Sequence, residues 1–454
     1  MRSRIITAVA ALVLAIAGAA VLLRAGDGLT VRHTSVEGVP LTEVRSTALA
    51  GSPGVVVAHG FAGSARLMMP FADTLARRGF AVVLLDFAGH GRNSSAATRG
   101  RELAVAVRHL RSLSGVDGSR ISLIGHSMGA AVVTGYAARH PGIASTVAIS
   151  LGVLHDAPPR MLLIVGGLEF RHFQRVAAAA AAESRMRRLV TVPGVEHISV
   201  LYASRTHNEV LRWLGAPPGP DPLPWLSLFG GGLLLIAFAL GLYPLTALLP
   251  RASATPPESP PADLMLAAPV AAMAAVLVAA IPTLTVGGYV GVFAAVTGSA
   301  MLLWARLRGH PVRIGGLPVS FPVLIGYPII SIAVPIHFGL THALPTGPRW
   351  WLLPAMVGAF ASLGLGTIGL TGGRFWPTAG VFACATAILT AAALTGLAPG
   401  FLTLIVPLLV VLLGWQAIWT AMLTRAGVPA WLVALAGAVL PAWPTATAMP
   451  LTGP

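Results

Sequence analysis

The stretch Ile121-Ser-Leu-Ile-Gly125-His126-Ser127-Met128-Gly129 decides the fold. It is an apolar, β-type run ending in G-x-S-x-G, followed from Ala130 to Arg139 by small, helix-forming residues. A serine hydroxyl is a poor nucleophile unless it is lifted clear of the backbone and handed a base. A tight strand-to-helix turn does the lifting. Gly125 and Gly129 leave room for that turn, and the helix N-terminus aims N–H groups at developing negative charge. As bare letters the motif recurs by chance; between a strand and a helix it is a strong signal.

Upstream, Thr30–Ser35 and Leu41–Ser46 read as a hairpin around Glu37-Gly38, followed by a strand at Gly54–Ala58 and a helix at Ala65–Arg78. A strand at Ala81–Asp86 and a helix at Arg99–Leu113 lead into the central run. Downstream, Ser145–Ser150, Met161–Val165 and Arg188–Val192 read as strands and Ile198–Leu214 as a closing helix. Buried aliphatic strands alternating with helices predict an α/β domain with a doubly wound, mostly parallel sheet over residues 28–215.

Three further features surround Ser127. Val55–Ala58 runs into His59-Gly60-Phe61, a strand ending in H-G. Met161–Val165 ends in Gly166-Gly167-Leu168-Glu169, an acid just past a strand, and Arg188–Val192 leads into Pro193-Gly194-Val195-Glu196-His197. Ser127, Glu169 and His197 all fall at the C-terminal edge of the predicted sheet, where open α/β folds build their sites. Asp156, after the preceding strand, is an alternative acid. His59 and His126 read as structural, as do Asp86 and His90 in the D-x-x-G-H-G turn.

These pieces together resemble the α/β-hydrolase family of serine hydrolases, in its compact esterase, lipase and serine-aminopeptidase-like branch. The matching motifs are HGF at 59–61, DFAGHG at 86–91, GHSMG at 125–129, IVGGLE at 164–169 and VPGVEH at 192–197. Carried over by position, the resemblance implies Ser127 as nucleophile, His197 as general base and Glu169 as the acid that orients the imidazole. It also implies an oxyanion hole built from the N–H groups of Phe61 and Met128. Two departures stand out. The acid is Glu where Asp is commoner, and only Gly152–Arg160 separates two strands between which lidded relatives insert their lid.

Composition sets the rest apart. Hydrophobic residues make up 55% of the 454 and charged ones 10%, a balance that calls for lipid as solvent. Residues 1–214 hold 12 of the 15 acids and 23 of the 30 basic residues; the remaining 240 carry three acids and seven arginines. A Pro-rich linker at 216–224 (APPGPDPLP) joins the α/β domain to an all-α, polytopic membrane domain at 225–454. The apolar segments are 225–249, 264–282, 284–305, 318–341, 350–372, 375–397, 401–423 and 428–447. No Asp, Glu or Arg falls within them, which argues against a proton-coupled transporter. Gly364-x-Gly366-x-x-Gly369 lies inside one span with no strand before it, so it reads as helix packing rather than dinucleotide binding.

Residues 5–23 form a ninth apolar run behind Arg2 and Arg4, an anchor (residues 1–27) that predicts a cytoplasmic N-terminus. A cleavable signal peptide is the competing reading, because AIAGAA contains small-residue sites; the long apolar core favours an uncleaved anchor. Both export the α/β domain. Threading the spans from that start places Arg251, Arg306, Arg308, Arg313, Arg374 and Arg425 in cytoplasmic loops and Arg349 outside. The excess of 11 positive charges over residues 1–214 suits an anionic lipid surface better than nucleic acid, since no Arg-rich tract or aromatic-interleaved stripe is present. The single cysteine, Cys384, lies in an apolar segment and leaves the redox compartment open. No H-E-x-x-H or C-x-x-C occurs, so neither metal nor cofactor is expected.

The sequence thus predicts a membrane-bound serine hydrolase that cleaves an ester, thioester or amide in a lipophilic or membrane-presented acyl substrate. Acyl transfer through the same triad is an alternative. So is a transport or scaffold protein that carries the hydrolase domain as an accessory module.

Overall fold

The computed structural model describes residues 2–46, 51–95, 100–249, 260–280, 285–309 and 321–451. The chain divides into two units. One comprises Ala19–Gly231 with His337–His342; the other comprises Met1–Gly18, Gly232–Ile336 and Ala343–Gly453. The chain opens with helix α1 (Arg2–Ala25) and then enters a sheet.

Strands β1 (Leu29–Val36) and β2 (Val39–Ser46) form an antiparallel hairpin turned at Glu37 and Gly38, both with positive φ. Then come β3 (Ser52–Ala58), α2 (Met69–Ala76), β4 (Ala81–Leu85), α3 (Arg101–Ser112) and β5 (Val116–His126). They are followed by α4 (Met128–Arg139), β6 (Ser145–Ile149), β7 (Met161–Gly166), α5 (Arg171–Ala182), β8 (Arg187–Val192) and α6 (Ser204–Trp213). The eight strands run in the order β1-β2-β4-β3-β5-β6-β7-β8. β2 pairs antiparallel with both β1 and β4, and every other pairing is parallel.

The strand sequences are continuous Val/Ile/Leu because both faces of the sheet are covered. Along β3, Val55 and Val57 join one core with Phe71, Leu75, Leu201 and Val210, while Val56 and Ala58 join the other with Leu103, Leu110 and Val133. The period of two sends neighbouring residues to opposite faces, so each strand serves two helix layers at once. Helix α5 is an element the sequence does not announce: its buried face is built from small residues, Ala177 and Ala180, between polar ones. The closing helix is split, a single 3₁₀ turn at Ser199–Tyr202 preceding α6.

C-terminal to the sheet in sequence, each apolar segment is a helix: α7 (Leu226–Leu245), α8 (Pro261–Ala279), α9 (Val286–Leu307), α10 (Phe321–Gly339), α11 (Arg349–Thr371), α12 (Phe375–Leu394), α13 (Leu402–Arg425) and α14 (Ala430–Ala448). Among the described residues eight helices, α1 included, are long and apolar enough to cross a membrane; the apolar stretch of α10 over Val323–Gly339 is shorter. The glycines of α9 and α11 let backbones touch. A Cβ on Gly298 would lie 2.2 Å from the carbonyl carbon of Ser362, and one on Gly366 would lie 2.4 Å from the Gly298 carbonyl oxygen. The G-x-G-x-x-G run is thus a helix-packing seam.

Arg349 lies in a helix rather than in the loop expected for it. It is the first residue of α11, fully buried, and its guanidinium donates to the Thr346 hydroxyl and the Met449 carbonyl. Helix ends also absorb Arg306 and Arg425, while Arg308 closes α9 and pairs with buried Asp263 of α8 at 3.2 Å. The helices therefore reach charges that hydropathy alone trims away: Arg306 and Arg425 are exposed at helix ends, while Asp263 and Arg349 are buried and partnered. Arg251 and Arg313 lie outside the described residues.

Candidate active site

β5 ends at His126 and α4 begins at Met128, so Ser127 is the entire turn. Its backbone sits at φ 51°, ψ −114°, a region that non-glycine residues enter only under constraint. The constraints are visible. The Ser127 N–H donates to the Ile149 carbonyl at 2.8 Å, and its own carbonyl accepts from Ala130 at 3.0 Å. The two motif glycines are required by contact: a Cβ on Gly125 would sit 2.3 Å from the Gly129 carbonyl oxygen. A Cβ on Gly129 would sit 2.5 Å from the carbonyl oxygens of both Ala58 and His59.

His197, on the loop after β8, places Nε2 3.1 Å from Ser127 Oγ and Nδ1 2.5 Å from Glu169 Oε1. The second carboxylate oxygen of Glu169 accepts from the Ser150 hydroxyl at 2.9 Å and from the Gly166 N–H at 3.0 Å. Both His197 and Glu169 are buried. Asp156, the alternative acid, is elsewhere: its exposed carboxylate pairs with Arg139 at 3.7 Å. The structure therefore brings Ser127, His197 and Glu169 into one hydrogen-bonded line and leaves Asp156 outside it.

Phe61 lies one residue beyond Gly60, and Met128 directly follows Ser127. A Cβ on Gly60 would be 3.1 Å from Ser127 Cβ, so the backbone of the H-G loop passes against the serine. Buried His59 accepts the Phe87 N–H on Nε2 and bonds the Gly60 carbonyl through Nδ1, which ties that loop to β4's end. Asp86 accepts from the Ala65 N–H at 2.7 Å and from Arg92, and Gly91 is demanded there because a Cβ would fall 2.1 Å from the Asp86 carboxylate.

Four further residues support the triad, of which Ser150 and Phe173 lie outside every sequence motif. Ser150 holds Glu169 from the end of β6, at φ 54°. Gly166 supplies the backbone donor beside it. His126 donates through Nε2 to the His197 carbonyl at 2.9 Å, and burial together with neighbouring His197 holds its pKa well below the usual imidazole value. A neutral ring there spares a cationic His197 from like-charge repulsion. Phe173 of α5 packs its ring 4.5 Å from the His197 imidazole. Strand order could have revealed Ser150, since the ends of adjacent β6 and β7 must neighbour each other; His126 was legible as a structural histidine of the elbow motif, and Phe173 left no trace. No group of three or more potential metal-ligating side chains occurs among the described residues.

Residues 53–197 match the family described as alpha/beta hydrolase fold. This region is an α/β-hydrolase domain. Over 119 residues it is 36% identical to a monoacylglycerol lipase of Mycolicibacterium smegmatis, covering 24% of this chain and 42% of the lipase. An uncharacterized protein of Mycobacterium tuberculosis is 30% identical over 179 residues, 32% of this chain and 63% of its own length. The chain thus spans less than two thirds of these relatives. Among solved structures, an esterase from Pyrococcus furiosus aligns over 41% of this chain and 92% of its own, at 18% identity and a TM-score of 0.35.

Proposed function

We propose that the domain is a serine esterase or lipase, carried on a membrane-embedded helical region and acting on a lipophilic acyl ester. The observation that carries this reading is the continuous Ser127–His197–Glu169 hydrogen-bond line, with Ser127 held in a strained turn. In the reaction Ser127 Oγ attacks the carbonyl carbon while its proton passes to His197 Nε2. Glu169, acceptor of the Nδ1–H, stabilises the resulting imidazolium. The Phe61 and Met128 N–H groups hold the oxyanion. Collapse expels the alcohol, which takes the proton from Nε2; water, deprotonated by the same nitrogen, then cleaves the acyl-enzyme and restores Ser127.

The rim supports a lipophilic substrate. Leu168 and Phe170 flank Glu169 in sequence and are exposed, as is Val153 on the short loop between β6 and β7. Exposed large apolar side chains at the mouth of a site mark it for an apolar ligand. Eight helices fit to cross a membrane, and the excess of arginine in residues 1–214, favour a substrate presented at an anionic bilayer surface. The arginine distribution between segments supports an extracytoplasmic hydrolase domain.

Turnover of a series of glycerol monoesters of increasing chain length, by the full chain in detergent micelles, tests this reading. Ser127→Ala should abolish hydrolysis, and kcat/KM should rise with chain length. Activity confined to small soluble esters or to peptides would overturn the lipophilic assignment. Product formed only when a second alcohol is supplied would convert hydrolysis into acyl transfer.

A further inference from the structure

Away from Ser127, the unit containing the sheet has a cavity of about 330 Å³. It is lined by the end of α1 (Arg24, Ala25), by Asp73 of α2 and Arg77 just past its end, by linker residues 220–224 and by 226–227 at the start of α7. Its two poles differ in charge. The Arg24 guanidinium has no hydrogen bond or ion pair among the described residues, and Arg77 spends one nitrogen on the Ala25 carbonyl at 3.0 Å. Arg78, by contrast, is committed: its two terminal nitrogens donate to the carbonyls of Pro217 and Pro220, 2.6 Å each, and so fix the linker as a wall.

Asp73 is the opposite pole. Its carboxyl makes no hydrogen bond or ion pair among the described residues, and burial pushes its pKa up to about 7 despite Arg77 and Arg66 nearby. Thr74 is already bonded to His207, and Asp221 to Asn208, so neither competes for Asp73. A group that is ionisable, partly buried and unpartnered lacks a cation. Two guanidiniums with spare donors want an anion with several oxygens, as phosphate offers. The remaining wall is apolar: Pro70, Pro222, Leu223, Pro224 and Leu226.

We propose that this cavity binds the headgroup of a zwitterionic aminophospholipid, phosphate on Arg24 and Arg77 and primary ammonium on Asp73. The lipid source, rather than a soluble phosphate, follows from what lines the cavity. Its lining includes the last turn of α1 and the first turn of α7, apolar helices whose ends would lie at headgroup depth, and Trp225 beside it is exposed as interfacial tryptophans are. The proposal rests on reading α1 and α7 as membrane-spanning. It does not depend on the chemistry assigned to Ser127.

Native mass spectrometry of the delipidated full chain in detergent tests it. Short-chain phosphatidylethanolamine, phosphatidylglycerol and diacylglycerol are titrated against wild type, an Arg24→Gln/Arg77→Gln variant and Asp73→Asn. We expect one saturable phosphatidylethanolamine per chain and at least a tenfold loss for both phospholipids in the double arginine variant. Asp73→Asn should lose at least fivefold for phosphatidylethanolamine alone. Equal binding by wild type and the arginine variant overturns the site, and a loss in Asp73→Asn shared by both phospholipids overturns the zwitterionic assignment. Displacement by inorganic phosphate at equal potency would move the ligand from lipid to free anion and overturn the lipid source. Fluorophosphonate labelling of Ser127, unchanged in both variants, certifies folding; lipid binding without labelling even in wild type would sink the hydrolase reading and leave this one standing.

Discussion

Ser150 offers the sharpest probe of how the acid is held. Its hydroxyl donates to Glu169 Oε2 at 2.9 Å, one of three donors on that carboxylate, beside the Gly166 N–H and His197 Nδ1. A hydrogen bond to a buried charged group is worth about 1.5–3 kcal/mol. If Glu169 must stay anchored to stabilise the imidazolium, losing that bond should lower kcat by about 10- to 100-fold, at roughly tenfold per 1.4 kcal/mol. KM for a small ester should hardly change, because Ser150 lies behind the acid, away from any bound acyl group. The confounding effect is backbone strain, since Ser150 sits at φ 54°. Ser150→Ala keeps that strain and Ser150→Gly relieves it, while both remove the hydroxyl. Steady-state turnover of p-nitrophenyl butyrate by the full chain should therefore fall equally in the two variants, even where their melting temperatures differ. Ser150→Ala with kcat within twofold of wild type refutes the reasoning, and recovery in Ser150→Gly assigns the effect to the backbone instead.

Other expectations follow from the same geometry. Glu169→Gln should cost on the order of 10⁴ in kcat, whereas Asp156→Asn, exposed and paired only with Arg139, should stay within about twofold of wild type at the scale of surface ion pairs; the reverse order in a kinetic comparison would move the acid role. Gly129→Ala drives a Cβ to 2.5 Å from two carbonyl oxygens, so a folded yield equal to wild type would contradict the close approach described. Burial lowers the pKa of His59 and His207 from 6.5 to about 4, so the unfolded chain binds more protons between those values. Stability should be complete above pH 6.5 and fall as pH drops toward 4, by about 3 kcal/mol for each histidine; a melting temperature flat across that window argues against neutral burial. Asp73 has the opposite sign: its raised pKa means the fold loses stability as pH climbs from about 4 to about 7. Asp73→Asn should therefore stabilise the protein more at pH 8 than at pH 5, as paired thermal melts would show.

The sheet was readable because parallel strands buried on both faces are spelled as unbroken Val/Ile/Leu, and each turn after them carries Gly, Asp or Ser. Ser127 stood out for the same reason: Gly125 and Gly129 are dictated by backbone contacts under 3 Å, and such contacts leave a mark in sequence. Glu169 was harder to separate from Asp156, since both follow strands and only the line to His197 distinguishes them. Ser150 and Phe173 were illegible one residue at a time, because their work depends on side chains that meet across strand ends and from α5; His126 was legible as structural, but not its bond to the His197 carbonyl. Helix α5 is hard to read because its buried face is alanine, whose small side chain marks a core face only weakly. Among the apolar helices, hydropathy located each segment but trimmed Asp263, Arg306, Arg349 and Arg425 from the ends, where an ion pair holds Asp263, hydrogen bonds hold Arg349, and Arg306 and Arg425 are exposed.

The central claim is that Ser127 is a nucleophile activated by His197. A fluorophosphonate probe reacts only with such a serine, and intact-mass and peptide analysis of the labelled full chain locates the bond. The account predicts one phosphonyl adduct per chain, on Ser127, lost in Ser127→Ala and slowed by several orders of magnitude in His197→Ala. Undiminished labelling of Ser127→Ala, or an adduct on a different residue of the wild type, would contradict it.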